Sequence, residues 1–206
     1  MSETSYKVGH LLRSDIRGFV VGSPIVDQET PTFGGLVKAP LGKEDLIYGL
    51  VTNIEILDDG LVRQLVTGAE LDETVRADNR VNRTVPMEIS VLAVGHKRAG
   101  ATLTHGLPPR APLSLDAIHE CSDEELIEFT SAGFGYLRHV LGNPDLPVNE
   151  LIAAHVRQAS EAHGEESNWR ERAAEEIVML LKDDYAALMD TLRAIAEGQP
   201  AAGAGR

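Results

Sequence analysis

The chain has 206 residues and a net charge of −13, with 43% hydrophobic but only 4% aromatic residues. No window approaches 18 consecutive apolar residues, and the first residues lack a basic start followed by an apolar run, so neither a membrane span nor a secretion signal is expected. One cysteine, Cys121, excludes an intrachain disulfide, and together these features predict a cytoplasmic protein.

The charge is divided unevenly along the chain. Residues 1–110 carry 14 acidic and 12 basic residues, net −2, whereas residues 111–206 carry 18 acidic and 7 basic residues, net −11. This asymmetry indicates two regions with different surfaces. The acidic region repels nucleic acid, so a basic patch is expected only in the first region.

Short segments rich in β-branched residues and punctuated by glycine and proline fill the first half. They predict strands over residues 18–26, 32–40, 46–56 and 85–95. The third of these, LIYGLVTNIEI, is apolar on both faces for most of its length, which is typical of a strand covered on both sides.

Turn signals and alternation extend this pattern. LDDGLV at 57–62 predicts a hairpin, and alternate residues of the last strand share one face: Met87, Ile89, Val91 and Ala93. Several short strands with frequent turns indicate a small closed or sandwiched β structure, and closure into a barrel would remove exposed edges.

The sequence of the second half predicts helices. Ser122 and Glu125 form a capping-box pattern that predicts a helix ending near Gly142, and a second helix is expected after Pro147.

A third helix is expected to be unusually long. Asn168 and Glu171 suggest another capping box, and apolar residues recur every three or four positions for about 30 residues. Only Asp184 interrupts this stripe, either as a residue at its rim or as a polar position that sets register with a partner helix. The composition of residues 199–206 predicts a disordered tail.

Recognisable catalytic signatures are missing from the sequence. Gly42 and Lys43 suggest a phosphate-binding loop, but Val37 replaces its first glycine and Glu44 its hydroxyl residue. No Gly-x-Ser-x-Gly occurs, and the spacings of the histidines and Cys121 fit no standard zinc site. We therefore assign no catalytic, cofactor-binding or metal-binding residue and predict that the chain is not an enzyme.

One basic concentration stands out, formed by Arg76, Arg80, Arg83, Lys97 and Arg98. If residues 76–83 are helical, the first three arginines share a face that can contact phosphate. The cluster lacks interleaved aromatic residues for stacking on single strands, and salt bridges to the many acids are the competing interpretation. It is the candidate contact site for nucleic acid or for a protein partner.

Taken together, four stretches resemble a HAS-barrel protein, the small β-barrel that precedes the motor domain in HerA-type ATPases and ATP synthases. They are GFVVGSPIVDQETPTFGGLV, GKEDLIYGLVTNIEI, PMEISVLAVG and GLPPRAPLSLDAIHECSDEEL, within residues 8–125. In HerA-type ATPases a RecA-like domain with Walker motifs follows, whereas here a helical segment follows instead. The resemblance therefore implies the barrel's contact role, including docking of a NurA-type nuclease, without ATP binding or catalysis.

These inferences predict an α+β protein. A HAS-barrel-like domain is expected over 1–108, a helical domain of about three helices over 109–198, and the tail over 199–206. The expected function is a non-enzymatic assembly or adaptor protein that contacts itself, a HerA-type ATPase or a NurA-type nuclease in DNA processing. The alternative is a nucleic-acid-binding accessory protein that uses the basic cluster.

Overall fold

Six antiparallel strands close into a barrel in the part of the chain that the structure describes. This computed structural model describes residues 6–24, 31–42, 44–56, 86–164 and 166–197. The strands are β1 (Lys7–Ser14), β2 (Gly18–Pro24), β3 (Leu36–Pro40), β4 (Leu46–Ile56), β5 (Pro86–Lys97) and β6 (Ala117–Glu120). Their order around the barrel is β1-β2-β5-β4-β3-β6, and every neighbouring pair is antiparallel.

The predicted α+β class and the predicted N-terminal barrel are therefore confirmed. The sequence patterns did not reveal β1 or β6, which pair with each other to close the barrel. Strand β6 also lies C-terminal to the boundary predicted at residue 108. The predicted hairpin at 57–62 and the predicted tail at 199–206 lie outside the described residues.

The barrel interior is filled by aliphatic side chains because inward and outward positions alternate along each strand. The four residues predicted to share a face of β5 are all buried in this interior cluster: Met87, Ile89, Val91 and Ala93. Val21 of β2, Val37 of β3 and Ile118 of β6 join them. Small and branched side chains suit the narrow lumen of a six-stranded barrel.

The position of strand β4 between the barrel interior and the helices explains why its sequence, LIYGLVTNIEI, is apolar on both faces. Ile47 and Val51 point into the barrel, whereas Tyr48 and Leu50 point outward into a second cluster formed with the helices. The register of β4 against β5 shifts between Val51 and Asn53, as in a β-bulge. That shift brings Ile54 back to the interior cluster, against the simple two-residue alternation.

Five helices lie in the described residues after β6. They are α1 (Asp123–Ser131), α2 (Leu137–Leu141), α3 (Val148–His163), α4 (Trp169–Leu180) and α5 (Tyr185–Glu197). The sequence suggested about three because two expected helices are each interrupted. The first breaks around Gly133, whose φ of 123° is incompatible with a continuing α-helix, and α2 ends at the expected Gly142.

The expected 30-residue helix is likewise two helices, α4 and α5, separated by residues 181–184. Asp184 lies at this break, and its carboxylate accepts a hydrogen bond from the Ala187 amide at 3.0 Å. Asp184 therefore caps the start of a new helix, which neither interpretation of this residue had anticipated.

Of the two predicted capping boxes, only the first forms. The Ser122 hydroxyl accepts from the Glu125 amide, and the Glu125 carboxylate accepts from the Ser122 amide. Asn168 makes no side-chain cap, and the Ser167 hydroxyl accepts from the Trp169 amide instead.

The helices cover the outer face of β3, β4 and β5, so barrel and helices share one apolar cluster. Leu36, Tyr48 and Leu50 of the strands belong to the same buried cluster as Phe129 of α1 and Ile152 of α3. No helix among the described residues is long and apolar enough to cross a bilayer.

Candidate interaction surface

The predicted basic cluster is only partly within the described residues. Arg76, Arg80 and Arg83 lie outside them, so their grouping stays a prediction. Lys97, at the end of β5, donates a hydrogen bond to the Glu128 carboxylate of α1. Arg98 follows it on the exposed surface. Lys97 thus connects the barrel to the helices. For this residue, the structure agrees with the interpretation that the basic side chains form salt bridges to acids of the same chain.

Two of the histidines, His105 and His163, connect elements through their ring nitrogens. The described part of the chain contains no group of three or more His, Cys, Asp or Glu residues that could hold a metal ion. His105 contacts the Phe129 carbonyl at 3.0 Å, and His163 contacts the Thr130 hydroxyl at 2.8 Å while stacking on Trp169. Burial lowers the pKa of both imidazoles, which favours their neutral, hydrogen-bonding forms.

A small cavity of about 260 Å³ lies between β6, α1 and α3. Glu120, Asp123 and Glu161 line it together with Cys121. Burial raises the pKa of the Cys121 thiol well above its usual value, and the Glu125 carboxylate adds to this effect. The thiol therefore stays protonated and is a poor nucleophile near neutral pH.

A larger crevice of about 710 Å³ runs between the barrel wall and the loop after α2. Gly18, Thr52 and Ser90 of three strands face Asn143 and Leu146 across it. Its two arginines already have acidic partners: Arg13 lies 2.8 Å from Glu88, and Arg17 lies 3.9 Å from Asp15. The crevice therefore offers no uncompensated charge that would select an anionic ligand.

The most distinctive surface feature is a cluster of exposed leucines beside β1, called here the leucine cluster: Leu12, Leu113 and Leu115. Their exposed fractions are 46%, 73% and 78%. Residues 112–116 run alongside β1, with the Leu115 amide donating to the Leu11 carbonyl at 2.8 Å and the Ser114 hydroxyl donating to the Leu12 carbonyl at 3.4 Å. These bonds hold the segment that carries Leu113 and Leu115 against strand β1, which carries Leu12.

Leu115 has a strained backbone. Its φ of 72° lies in the left-handed region, which costs a non-glycine residue roughly 1–2 kcal/mol. His10 donates from Nδ1 to the Leu115 carbonyl at 3.0 Å, and the Leu11 carbonyl fixes the Leu115 amide. The surroundings thus hold a large apolar side chain in an unfavourable conformation where it is almost fully exposed. An outlier of this kind points to a function at the surface.

These observations define an α+β protein with a closed six-stranded barrel whose strongest candidate site is an apolar contact surface. Comparison with models of known protein families finds no match, and comparison with curated proteins finds none either. Sequence reasoning missed the leucine cluster because exposed leucines look like core residues in a linear pattern. The only usable signal was Leu113 and Leu115 in a proline-rich stretch without strand or helix periodicity.

Proposed function

We propose that this chain is a non-enzymatic assembly protein that binds a protein partner through the leucine cluster of its barrel. The observation that carries the proposal is Leu115, which is 78% exposed and held at a φ of 72°. A glycine or asparagine would fit that backbone with less strain, so a leucine at this position suggests that its side chain is needed.

Docking would be favourable because it buries apolar surface. Each leucine side chain that moves from water into a partner's pocket contributes about 1.5–3 kcal/mol. Residues 114 and 115 are hydrogen-bonded to the backbone of residues 11 and 12, so one partner can reach all three leucines. The helices cover β3, β4 and β5 instead, so this edge of the barrel is not used for the internal contact.

The resemblance to HAS-barrel proteins suggests which partner to test first. In that family the barrel contacts neighbouring subunits and docks a NurA-type nuclease beside a HerA-type ATPase. The closed six-stranded barrel is compatible with that role in DNA processing. We therefore propose a ring ATPase of the HerA type or a NurA-type nuclease as the partner, with self-association as the other form of assembly.

The test is affinity capture from the native host, followed by titration of the purified ATPase or nuclease against wild type and the double variant Leu113→Ser/Leu115→Asn. Loss of two buried leucines is expected to weaken binding at least tenfold, that is, by more than about 1.4 kcal/mol. Light scattering on the wild-type chain tests self-association in the same way.

The matched control is Ile56→Asn, which removes an apolar side chain that is 63% exposed elsewhere on the barrel. It should leave partner affinity unchanged. Thermal unfolding checks the fold: asparagine tolerates the left-handed region, so Leu115→Asn alone should not lower the melting temperature. A strictly monomeric chain with no ATPase or nuclease partner, or a partner that binds the double variant normally, would refute the proposal.

A further inference from the structure

The last turn of α4 exposes three consecutive apolar residues. Val178, Met179 and Leu180 are 40%, 64% and 39% exposed. The inward face of the same helix is already complete, because Trp169, Ala173 and Ile177 are buried in the shared core. Runs of exposed apolar residues are avoided on soluble surfaces unless they have a function.

Helix α5, which follows the turn at 181–184, exposes two further large apolar side chains. Tyr185 and Met189 are 73% and 39% exposed, and a spacing of four residues places them on one face of the helix. The neighbouring face of α5 packs inward, with Leu188 and Ile195 against the core and Thr191 fully buried. We call these five residues the methionine patch: Val178, Met179, Leu180, Tyr185 and Met189.

The side chains of the methionine patch suit the recognition of a helix. Methionine is flexible and polarisable, so it adapts to varied apolar partners, and tyrosine is enriched among residues that dominate interface energies. A surface of this kind receives the apolar face of an amphipathic helix.

The electrostatic surroundings of the methionine patch select the sign of the partner's charge. Exposed acids lie close to its residues along the chain at Glu175, Asp183 and Asp190. Lys182 is the exposed base in the turn, and Asp190 is already paired with Arg193 at 3.2 Å. A second copy of the chain would bring the same acids and be repelled.

We propose that the methionine patch is a docking surface for a basic amphipathic helix of a partner protein. This inference goes beyond the leucine cluster, because it concerns the opposite half of the chain and is tested without the barrel's partner. The partner's apolar residues would cover Met179, Tyr185 and Met189, and its lysines or arginines would lie near Glu175 and Asp183. Binding should therefore weaken as salt is added.

Methionine methyl NMR gives a direct test, since the chain has four methionines and two lie in the patch. The probe is a synthetic helical peptide about five turns long with leucines on one face and lysines on the other. Its addition should move the Met179 and Met189 methyl signals to saturation, whereas Met87, buried in the barrel, stays in place. The same peptide with every lysine replaced by glutamate should produce no shifts.

Two variants and a control locate the site. Tyr185→Ser should weaken the lysine peptide at least fivefold, and Asp183→Asn about two- to fivefold. Glu44→Gln, which removes an equal charge from the exposed surface of the barrel, should have no effect. The proposal fails if the lysine peptide leaves both signals unmoved, if the glutamate peptide binds equally well, or if the signals shift with protein concentration alone, which would indicate self-association.

Discussion

At the residue scale, the most constrained polar contact is that of His155. Its Nδ1 lies 3.1 Å from the Gly34 carbonyl, which can only accept, so Nδ1 carries the proton and Nε2 accepts from the Tyr136 hydroxyl at 3.0 Å. Gly34 is required where it meets α3, because a Cβ there would lie 2.9 Å from the Ala154 Cβ. Burial lowers the pKa of His155 to about 4.

This pKa predicts how stability depends on pH. The unfolded histidine titrates near 6.5 and the folded one near 4, so the unfolded state binds more protons between these values. The contribution to stability is complete above pH 6.5 and falls as the pH drops to 4, by about 3 kcal/mol in total. Denaturant unfolding followed by the fluorescence of Trp169 between pH 4 and 8 measures it.

His155→Gln provides the comparison for that experiment. The variant should be less stable than wild type at pH 8, and the difference between the two should shrink towards pH 4. Other histidines with lowered pKa values contribute equally to both proteins and cancel. A constant difference across the whole range would contradict the assignment to His155.

The spacings of the histidines in the sequence fitted no standard zinc site, but they did not indicate the partners of His155. Tyr136 lies 19 positions away and Gly34 lies 121 positions away. Hydrogen-bond partners at such separations follow from how α3 packs on the loop before β3. No local pattern of side chains encodes that packing.

At the scale of elements, Glu125 connects the start of α1 to strand β3. One carboxylate oxygen accepts from the Ser122 amide in the capping box, and the other accepts from the Lys38 ammonium group. The side chains of Lys38 and Glu125 are only 17% and 27% exposed, so water screens this ion pair weakly. The capping box was predictable from a spacing of three residues, whereas the strand partner was not.

A double-mutant cycle with Lys38→Met and Glu125→Gln should measure a coupling of about 1 kcal/mol in the free energy of unfolding. The control pair is Arg193 and Asp190, which are 3.2 Å apart on the exposed surface of α5. The same cycle there should give less than about 0.5 kcal/mol. Equal coupling in the two cycles would show that burial does not strengthen the Lys38–Glu125 pair.

Helix boundaries show where local patterns stop being sufficient. The apolar stripe from Trp169 to Ile195 predicted one helix. A short break goes unnoticed in such a pattern when the apolar residues after it keep nearly the same three- or four-residue spacing. The signal that was available is Asp184, a strong N-cap residue type in the middle of the stripe. Asp184 does not disturb the apolar face of a continuous helix, because it lies at the start of α5.

At the scale of the whole molecule, barrel and helices depend on a shared core. Tyr48 and Leu50 of β4 are buried only because Phe129 of α1 and the neighbouring helices cover them. The Tyr48 and Phe129 rings lie 5.3 Å apart across this junction. Two regions that bury each other's apolar surface are expected to unfold together.

Ile89→Ala in the barrel interior and Ile152→Ala under the helices test this cooperativity. Each creates a cavity in a fully buried site and should lower the free energy of unfolding by about 2–5 kcal/mol. Circular dichroism and the fluorescence of Trp169, the only tryptophan and a residue of α4, should report the same midpoint for each variant. If Ile89→Ala leaves the Trp169 transition unshifted, the barrel and the helices unfold independently.

The sequence by itself determined the class of this protein: alternating β-branched segments followed by amphipathic helices, one correct capping box and a β4 strand that had to be covered on both faces. These features depend on neighbours within about four residues along the chain, and such short-range physics is readable from a linear pattern. Only the tertiary structure decided three other features. These are the closure of the barrel by β1 and β6, the contacts of His155, and the exposed leucine and methionine surfaces. Whether an apolar side chain ends in the core or on the surface depends on which distant segment packs against it.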